Sequence, residues 1–163
     1  MDQKGPFKYN TNKFNDMTQD EADRHEETAF DYLLKRYNWN IITTPKFALI
    51  DGVAYIGREI THIIEFKSRN ESWDTMMHYG TYLISWDKIQ NGITMSKMMR
   101  VPFILIVYLV DSQMVLGTEI ATEDGELAIP DIEVKETRTQ RSIEGGSVIR
   151  KNAYIDLIHF YRL

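Results

Sequence analysis

An almost unbroken apolar run from Val101 to Val110 constrains the fold of this chain more than any other feature. A membrane-spanning helix needs roughly 20 apolar residues, about twice the length of this run. The continuous β-branched and aliphatic residues from Phe103 to Val110 are typical of a strand that is covered on both faces. The run therefore predicts a central strand of an α/β protein and not a membrane segment.

Other patterns predict the elements around this strand. Thr18 with Glu21 three residues later has the capping-box pattern, and apolar residues at helical spacing extend a predicted helix to about Asn38. Two β-rich runs separated by a turn at Gly57 predict a hairpin. The remaining predictions are an extended piece at Asn40–Thr44, hairpin strands at Phe47–Ile56 and Glu59–Lys67, a helical segment at Thr75–Met99 that Gly92 interrupts, a returning strand at Met114–Gly117, a loop at Ala121–Asp131 and a last strand at Ala153–Phe160.

Length and composition narrow the class of protein. The 163 residues predict a single domain over 1–163. Its first residues, 1–15, are predicted to form a polar N-terminal arm. The absence of cysteine excludes disulfides and thiolate chemistry, and the arm lacks the apolar core of a signal peptide, so a cytoplasmic location is expected. The net charge of −5 is a mild objection to a nucleic-acid partner, but basic residues gather at Lys97–Arg100 and near the C-terminus.

Charged residues stand inside two of the predicted strands. Glu65 and Lys67 are two apart, so they project from one face of a strand. A three-residue loop would pair Ile56 with Ile60, and that register brings Asp51 opposite Glu65 with Cβ atoms about 5 Å apart. A slip of one residue would place the two carboxylates on opposite faces.

A metal ion would explain why such a group is kept. Two carboxylates at that distance repel unless a cation lies between them. Oxygen ligands suit Mg²⁺ or Mn²⁺, which can activate a bound water and polarise a phosphate. Lys67 would then orient that water or stabilise the charge that builds on phosphorus, and the main-chain carbonyl of Phe66 is a further candidate metal ligand. A Glu-x-Lys pair in a strand is more often an exposed ion pair worth under about 1 kcal/mol, but the apolar neighbours Ile63 and Ile64 predict a buried strand here.

At these residues the sequence resembles the PD-(D/E)XK nuclease superfamily, which includes restriction enzymes, archaeal Holliday-junction resolvases and phage endonucleases. The superfamily core has the order α-β-β-β-α-β, which matches the elements predicted from Thr18 to Val110. The resemblance implies an α/β fold with a restriction-endonuclease-like core, a mixed central sheet flanked by helices and, in this chain, a strand-rich C-terminal extension.

The motif carries over to three positions. Asp51 matches the motif aspartate, Glu65 the second acidic residue and Lys67 the lysine. The proline that often precedes the aspartate is replaced by Ile50. The resemblance implies that Asp51, Glu65 and Lys67 are catalytic and that Asp51 and Glu65 bind the metal.

Further site residues are implied outside the motif. Many members place a metal-side glutamate on the first helix, and Glu27 is the best match, with Glu26 as the fallback. By analogy with phage-type members, Ser85 and Lys88 are predicted to lie three apart on one helix face and to contact a phosphate. Arg69, two residues beyond the motif lysine, is a third candidate for nucleic-acid binding.

The implied function is a Mg²⁺-dependent (or Mn²⁺-dependent) deoxyribonuclease that hydrolyses DNA with metal-activated water. Small members often act as homodimers, so a homodimer is expected, and no membrane partner is expected. A phage source would place the protein in the cytoplasm of the host cell. The alternative is a non-catalytic nucleic-acid-binding or assembly protein that keeps the nuclease fold.

Overall fold

A computed structural model describes residues 17–45, 48–141 and 147–163. The predicted N-terminal arm at 1–15 lies outside the described residues. Within the described parts of the chain there are three α-helices and nine strands. The helices are α1 (Gln19–Tyr37), α2 (Trp73–Tyr79) and α3 (Trp86–Met99). The strands are β1 (Asn40–Thr43), β2 (Gly52–Ile56), β3 (Glu59–Arg69), β4 (Thr81–Ser85), β5 (Phe103–Leu109), β6 (Met114–Ala121), β7 (Glu133–Arg141), β8 (Ser147–Asp156) and β9 (Tyr161–Arg162).

The strands form two sheets, and β5 lies inside the larger one. The six-stranded sheet has the order β1-β2-β3-β5-β6-β9, and the three-stranded sheet has the order β4-β8-β7. Only the β3–β5 pairing is parallel among the described strands, so the central sheet is mixed. Every residue of β5 is buried, which confirms the predicted central strand and the α/β class.

Two apolar cores cover the two faces of the six-stranded sheet. On one face, Ala29 and Leu33 of α1 pack against Ile64 and Ile106. On the other face, the core joins the central sheet to α2, α3 and the three-stranded sheet; its members include Ile63, Leu105, Met76, Ile89, Ile84 and Ala153. Helices therefore flank the sheet on both sides, as expected.

The first helix begins where the capping box predicted. The Thr18 hydroxyl accepts a hydrogen bond from the Glu21 N–H, and the Glu21 carboxylate accepts one from the Thr18 N–H. At the other end Asn38 adopts the left-handed conformation with φ 58° and donates its N–H to the Leu34 carbonyl. These caps satisfy backbone groups that a helix end otherwise leaves unpaired.

The β2–β3 hairpin differs from the predicted one at its turn and agrees with it further on. Ile56 pairs with Glu59, so the turn is two residues long and the predicted pairing of Ile56 with Ile60 is wrong. A bulge beside Tyr55 then adds one residue to β3, and Gly52 pairs with Ile64. The bulge shifts the register by the one residue that the shorter turn had removed. The predicted alignment of the strand ends is therefore reached by a different route.

The segment from Thr75 to Met99 is not one interrupted helix, which corrects the prediction. Helix α2 ends at Gly80, which has φ 75°, and β4 follows before α3 begins. Gly92 does not interrupt α3. It is buried, and a Cβ built on it would lie 2.1 Å from the Phe103 ring, so the missing side chain lets α3 approach β5 closely.

The C-terminal part is strand-rich, as predicted, with different bounds. The predicted last strand at Ala153–Phe160 is the end of β8 followed by a short 3₁₀ turn at Leu157–His159. The returning strand β6 extends to Ala121, beyond the predicted Gly117. None of the described helices has the length and apolar character needed to cross a membrane.

Candidate active site

Asp51 immediately precedes β2 and extends the ladder between β2 and β3. Its N–H donates to the Ile64 carbonyl at 3.2 Å, and its own carbonyl accepts from the Thr44 N–H at 2.9 Å. The side chain turns onto β3, where Oδ2 accepts a hydrogen bond from the Phe66 N–H at 3.0 Å. The backbone thus holds the Asp51 carboxylate beside the strand that carries Glu65.

Lys67 joins the two carboxylates. Its Nζ lies 2.6 Å from Glu65 Oε1 and 3.4 Å from Asp51 Oδ2. The structure therefore brings Asp51, Glu65 and Lys67 together, as the register argument predicted. Glu65 is 1% exposed whereas Asp51 is 27% exposed, so the group has one buried end and one open end.

A second lysine, Lys88 from α3, also contacts both carboxylates. Its Nζ lies 3.1 Å from Asp51 Oδ1 and 3.3 Å from Glu65 Oε2. Two carboxylates and two ammonium groups thus form one compact cluster. Lys88 is 30% exposed, so it reaches the cluster from the open side.

The surroundings in this cluster shift the pKa values of the two carboxylates in opposite directions. Burial alone raises the pKa of Asp51, but Lys67, the Phe66 N–H and Lys88 together outweigh it and hold the pKa below its ordinary value. For Glu65 burial dominates and raises the pKa, which Asp51 raises further, while Lys67 and Lys88 only partly oppose it. Glu65 is therefore the carboxylate whose charge depends more on a nearby cation.

Helix α1 presents Glu26, not Glu27, to this cluster. Glu26 lines a pocket of about 380 Å³ together with Asp51 and Lys67. Burial raises its pKa first of all, and the Asp51 charge raises it further, which shows that the two carboxylates influence each other. Glu27 is exposed and lines a separate depression with Trp39 on the other side of α1.

The same pocket has the end of β3 on its rim. Its lining residues are Met17, Gln19, Ala22, Asp23, Glu26, Asp51, Phe66, Lys67, Ser68, Arg69, Asn70 and Glu71. Arg69 is the last residue of β3, and its guanidinium stands 5.3 Å from the centre of the Tyr82 ring. It borders the pocket, which is compatible with the predicted contact to nucleic acid.

Ser85 and Lys88 do not share a helix face, which corrects the prediction. Ser85 is the last residue of β4 and the N-cap of α3, where its side chain makes no capping hydrogen bond. Lys88 lies in the first turn of α3 and points to the carboxylates. The apolar residues of β4 fit a helical pattern as well as a strand, so the sequence predicts a helix through Ser85 and does not show where Lys88 lies.

The residues of the cluster fit a divalent cation. Mg²⁺ is usually held by one or two carboxylates plus waters and substrate oxygens, and Asp51 and Glu65 are such a pair. Glu65 Oε1 is fully buried and makes an ion contact with Lys67, but it has no hydrogen bond of ordinary geometry. No group of three or more histidine or acidic side chains arranged for a metal occurs among the described residues. The predicted metal ligands therefore remain the carboxylates of Asp51 and Glu65 with the main-chain carbonyl of Phe66.

Comparisons with known proteins place these residues in a family context. The family model described as "Phage putative PDDEXK endonuclease" matches residues 14–125. Among solved structures, the chain is similar to Hjc, a Holliday junction resolvase from the archaeal hyperthermophile Archaeoglobus fulgidus, with 20% identity and a TM-score of 0.48. That match covers 83% of this chain and 84% of the other. No curated protein is significantly similar to the sequence.

Proposed function

The chain belongs to the phage PDDEXK endonuclease family, and from this premise we propose that it is an endonuclease that hydrolyses phosphodiester bonds in DNA with the help of Mg²⁺ or Mn²⁺. The observation that carries the proposal is the cluster of Asp51, Glu65 and Lys67, in which Asp51 and Lys67 line a pocket and Glu65 is buried behind them. A purely structural ion pair in a strand needs neither a third charged group nor a pocket.

Each residue of the cluster has a proposed task. Asp51 and Glu65 hold the cation, the Phe66 carbonyl completes the protein ligands, and Glu26 replaces Glu27 as the supporting carboxylate of α1. Lys67 donates to the phosphate or to the attacking water as negative charge builds up. The bound cation supplies an activated water and polarises the phosphate.

Binding of a cation requires the two lysines to give way. Lys67 and Lys88 contact the carboxylate oxygens that the cation would take. Both side chains are about a third exposed, and each carries its ammonium group on a flexible aliphatic chain, so both can turn toward the pocket. In that position they would face the phosphate of the substrate, so the predicted nucleic-acid contact of Lys88 would lie beside Asp51 and Glu65.

Cleavage of supercoiled plasmid, linear duplex and four-way junction DNA with Mg²⁺, Mn²⁺ or excess chelator tests the proposal. We expect cutting that requires the metal, and a loss of about 100-fold or more in Glu65→Gln and Lys67→Ala. Lys97→Ala is the matched control, because Lys97 is an exposed lysine on α3. Circular dichroism establishes that each variant is folded.

Two outcomes would decide against the proposal. If folded wild type cuts none of these substrates but binds DNA as well as both variants do, the chain is the non-catalytic binding or assembly protein. If the variants cut as fast as wild type, another group of residues performs the chemistry.

The same assay decides which carboxylate of α1 takes part. We expect Glu26→Gln to slow cleavage by about tenfold or more, because Glu26 borders the pocket and interacts with Asp51. Glu27→Gln is expected to cut at the wild-type rate, because Glu27 lines the other depression. The reverse result would restore Glu27, the choice made from the resemblance.

The remaining parts of the proposal concern the setting of the reaction. A homodimer would place one active site on each of the two DNA strands. Light scattering of the purified chain measures the oligomeric state directly. The phage family makes the cytoplasm of an infected host cell the proposed location.

A further inference from the structure

Strands β7 and β8 extend beyond the sheet that contains them. β4 pairs only with Asn152–Asp156 of β8, whereas β7 pairs with β8 along its whole length. From Lys151 back to Ser147, β8 therefore pairs with β7, and none of the described strands lies on its other side. We call this two-stranded projection, Glu136–Arg141 with Ser147–Lys151, the ribbon. It lies outside the residues that the family model matches.

The ribbon leaves the three-stranded sheet at the end that leads to the candidate active site. Ser85, the last residue of β4, pairs with Asn152, the residue of β8 that directly follows the ribbon. Helix α3 begins directly after Ser85, and its first turn carries Lys88, which contacts Asp51 and Glu65. Asn152, where the ribbon joins the sheet, thus pairs with Ser85, and Lys88 only three residues after Ser85 contacts the carboxylate cluster.

One face of the ribbon continues the core-facing side of the sheet. Ala153 and Ile155 of β8 are fully buried in the core, and alternation places Lys151 on the same face. On β7 the pairing of Glu136 with Lys151 places Arg138, two residues on, on this face as well. Beyond the core nothing covers them among the described residues, and Arg138 and Lys151 are exposed.

The charge of the ribbon is opposite to that of the whole chain. The ribbon contains four basic residues and one acidic residue, in a chain whose net charge is −5. The acidic residue, Glu136, lies directly across from Lys151. The surplus of positive charge thus lies where β7 and β8 extend beyond their pairing with β4.

We propose that the ribbon is an arm that holds a nucleic-acid duplex beside the active site, with Arg138 and Lys151 contacting its phosphates. A two-stranded β-ribbon is one of the elements that fits the major groove of B-DNA. Lysine and arginine contacts to phosphate fix the position of the protein without reading sequence. The proposal deepens the proposed function, on which it rests for the class of ligand.

Binding of a fluorescein-labelled DNA duplex of about 30 base pairs, measured by fluorescence anisotropy without divalent metal over a series of salt concentrations, tests this arm. We expect Arg138→Ala/Lys151→Ala to weaken binding about tenfold or more and to lower the slope of log K against log salt by about 2. The matched control is Lys135→Ala/Arg150→Ala, which removes the same charge from the opposite face of the same strands. There Lys135 is already paired with Glu133 at 2.8 Å, so a smaller change in affinity and slope is expected.

The charge-retaining variant Arg138→Lys should keep most of the affinity and the slope, which separates loss of a phosphate contact from loss of ribbon structure. Equal affinity of wild type and Arg138→Ala/Lys151→Ala, an equal loss in the control variant, or no binding of the duplex by wild type at low salt would overturn the proposal. The result is independent of cleavage. An enzyme that cuts DNA with no contribution from the ribbon refutes the arm alone, and ribbon-dependent binding without cutting refutes only the proposed activity.

Discussion

Asp51 and Glu65 approach the same two lysines, yet their surroundings shift their pKa values in opposite directions. Asp51 is partly open and accepts a backbone N–H, so the ammonium groups outweigh the effect of burial and lower its pKa. Glu65 is 1% exposed, and burial raises its pKa in spite of the same lysines. Environments that separate the pKa values of neighbouring carboxyl groups are typical of catalytic sites.

At the scale of single residues, Lys88 leads to a prediction, because it contacts the oxygens that a divalent cation would bind. Lys88→Met removes a competing positive charge, so we expect Mg²⁺ or Mn²⁺ to bind about three- to tenfold more tightly. Because a ligand that binds only the folded state stabilises it, the melting temperature should rise more on adding metal than it does for wild type. Differential scanning fluorimetry over a metal titration measures both effects.

Lys97→Met, on the same helix and exposed, is the control for the loss of one positive charge. A smaller rise in melting temperature for Lys88→Met than for wild type would mean that Lys88 supports the bound metal and does not compete with it.

At the scale of elements, α3 is the element that connects the site to the central sheet. It follows β4 without a loop, carries Lys88 in its first turn and packs on β5 through Gly92. A Cβ at Gly92 would overlap the ring of Phe103, which is itself fully buried. The distance between α3 and the sheet is therefore set by a residue without a side chain.

Gly92→Ala tests this close approach. The added methyl group has no space, so α3 or the Phe103 ring must shift, and we expect the free energy of unfolding to fall by about 1–3 kcal/mol despite the better helix propensity of alanine. Urea denaturation followed by circular dichroism measures the change. Thr94→Ala, an exposed position of the same helix, should change stability by less than about 0.5 kcal/mol. Equal stability of Gly92→Ala and wild type would show that the helix can move without cost.

At the scale of the whole molecule, the C-terminal strands are part of the core although the family model does not include them. Ala153 and Ile155 of β8 and Leu157 and Phe160 beyond it are buried in the same cluster as Leu105 of the central sheet. Among the described residues the two sheets thus share one core, and the single domain over 1–163 stays a prediction.

Truncation after Asp131 tests that prediction. The shortened chain keeps the family-matched residues 14–125 but loses β7, β8 and β9, so the edge of β4 that pairs with β8 loses its hydrogen-bond partners. We expect the truncated chain to lack a cooperative thermal transition, whereas the full chain melts in one transition. A cooperative transition in the truncated chain would show that residues 1–131 fold alone and that the C-terminal strands are an attached unit.

The sequence determined the parts of this protein that depend on local chemistry. The run at Phe103–Leu109 required a covered strand, the Thr18–Glu21 box fixed the start of α1, and the Asp51, Glu65 and Lys67 pattern identified the cluster. Each of these signals arises within a few residues or from strand alternation, which is why it can be read without knowing the fold.

The tertiary structure decided what depends on partners distant in the chain. Thr81–Ser85 is a strand because β8, about 70 residues later, supplies its hydrogen-bond partners. No pattern within Thr81–Ser85 itself predicts that pairing. Whether Glu26 or Glu27 meets the cluster depends on how α1 is rotated on the sheet, since adjacent helical residues point about 100° apart. Lys88 reaches the carboxylates only because β4 ends where α3 begins. These outcomes are set by packing between elements, where small rotations and pairings decide which side chains meet.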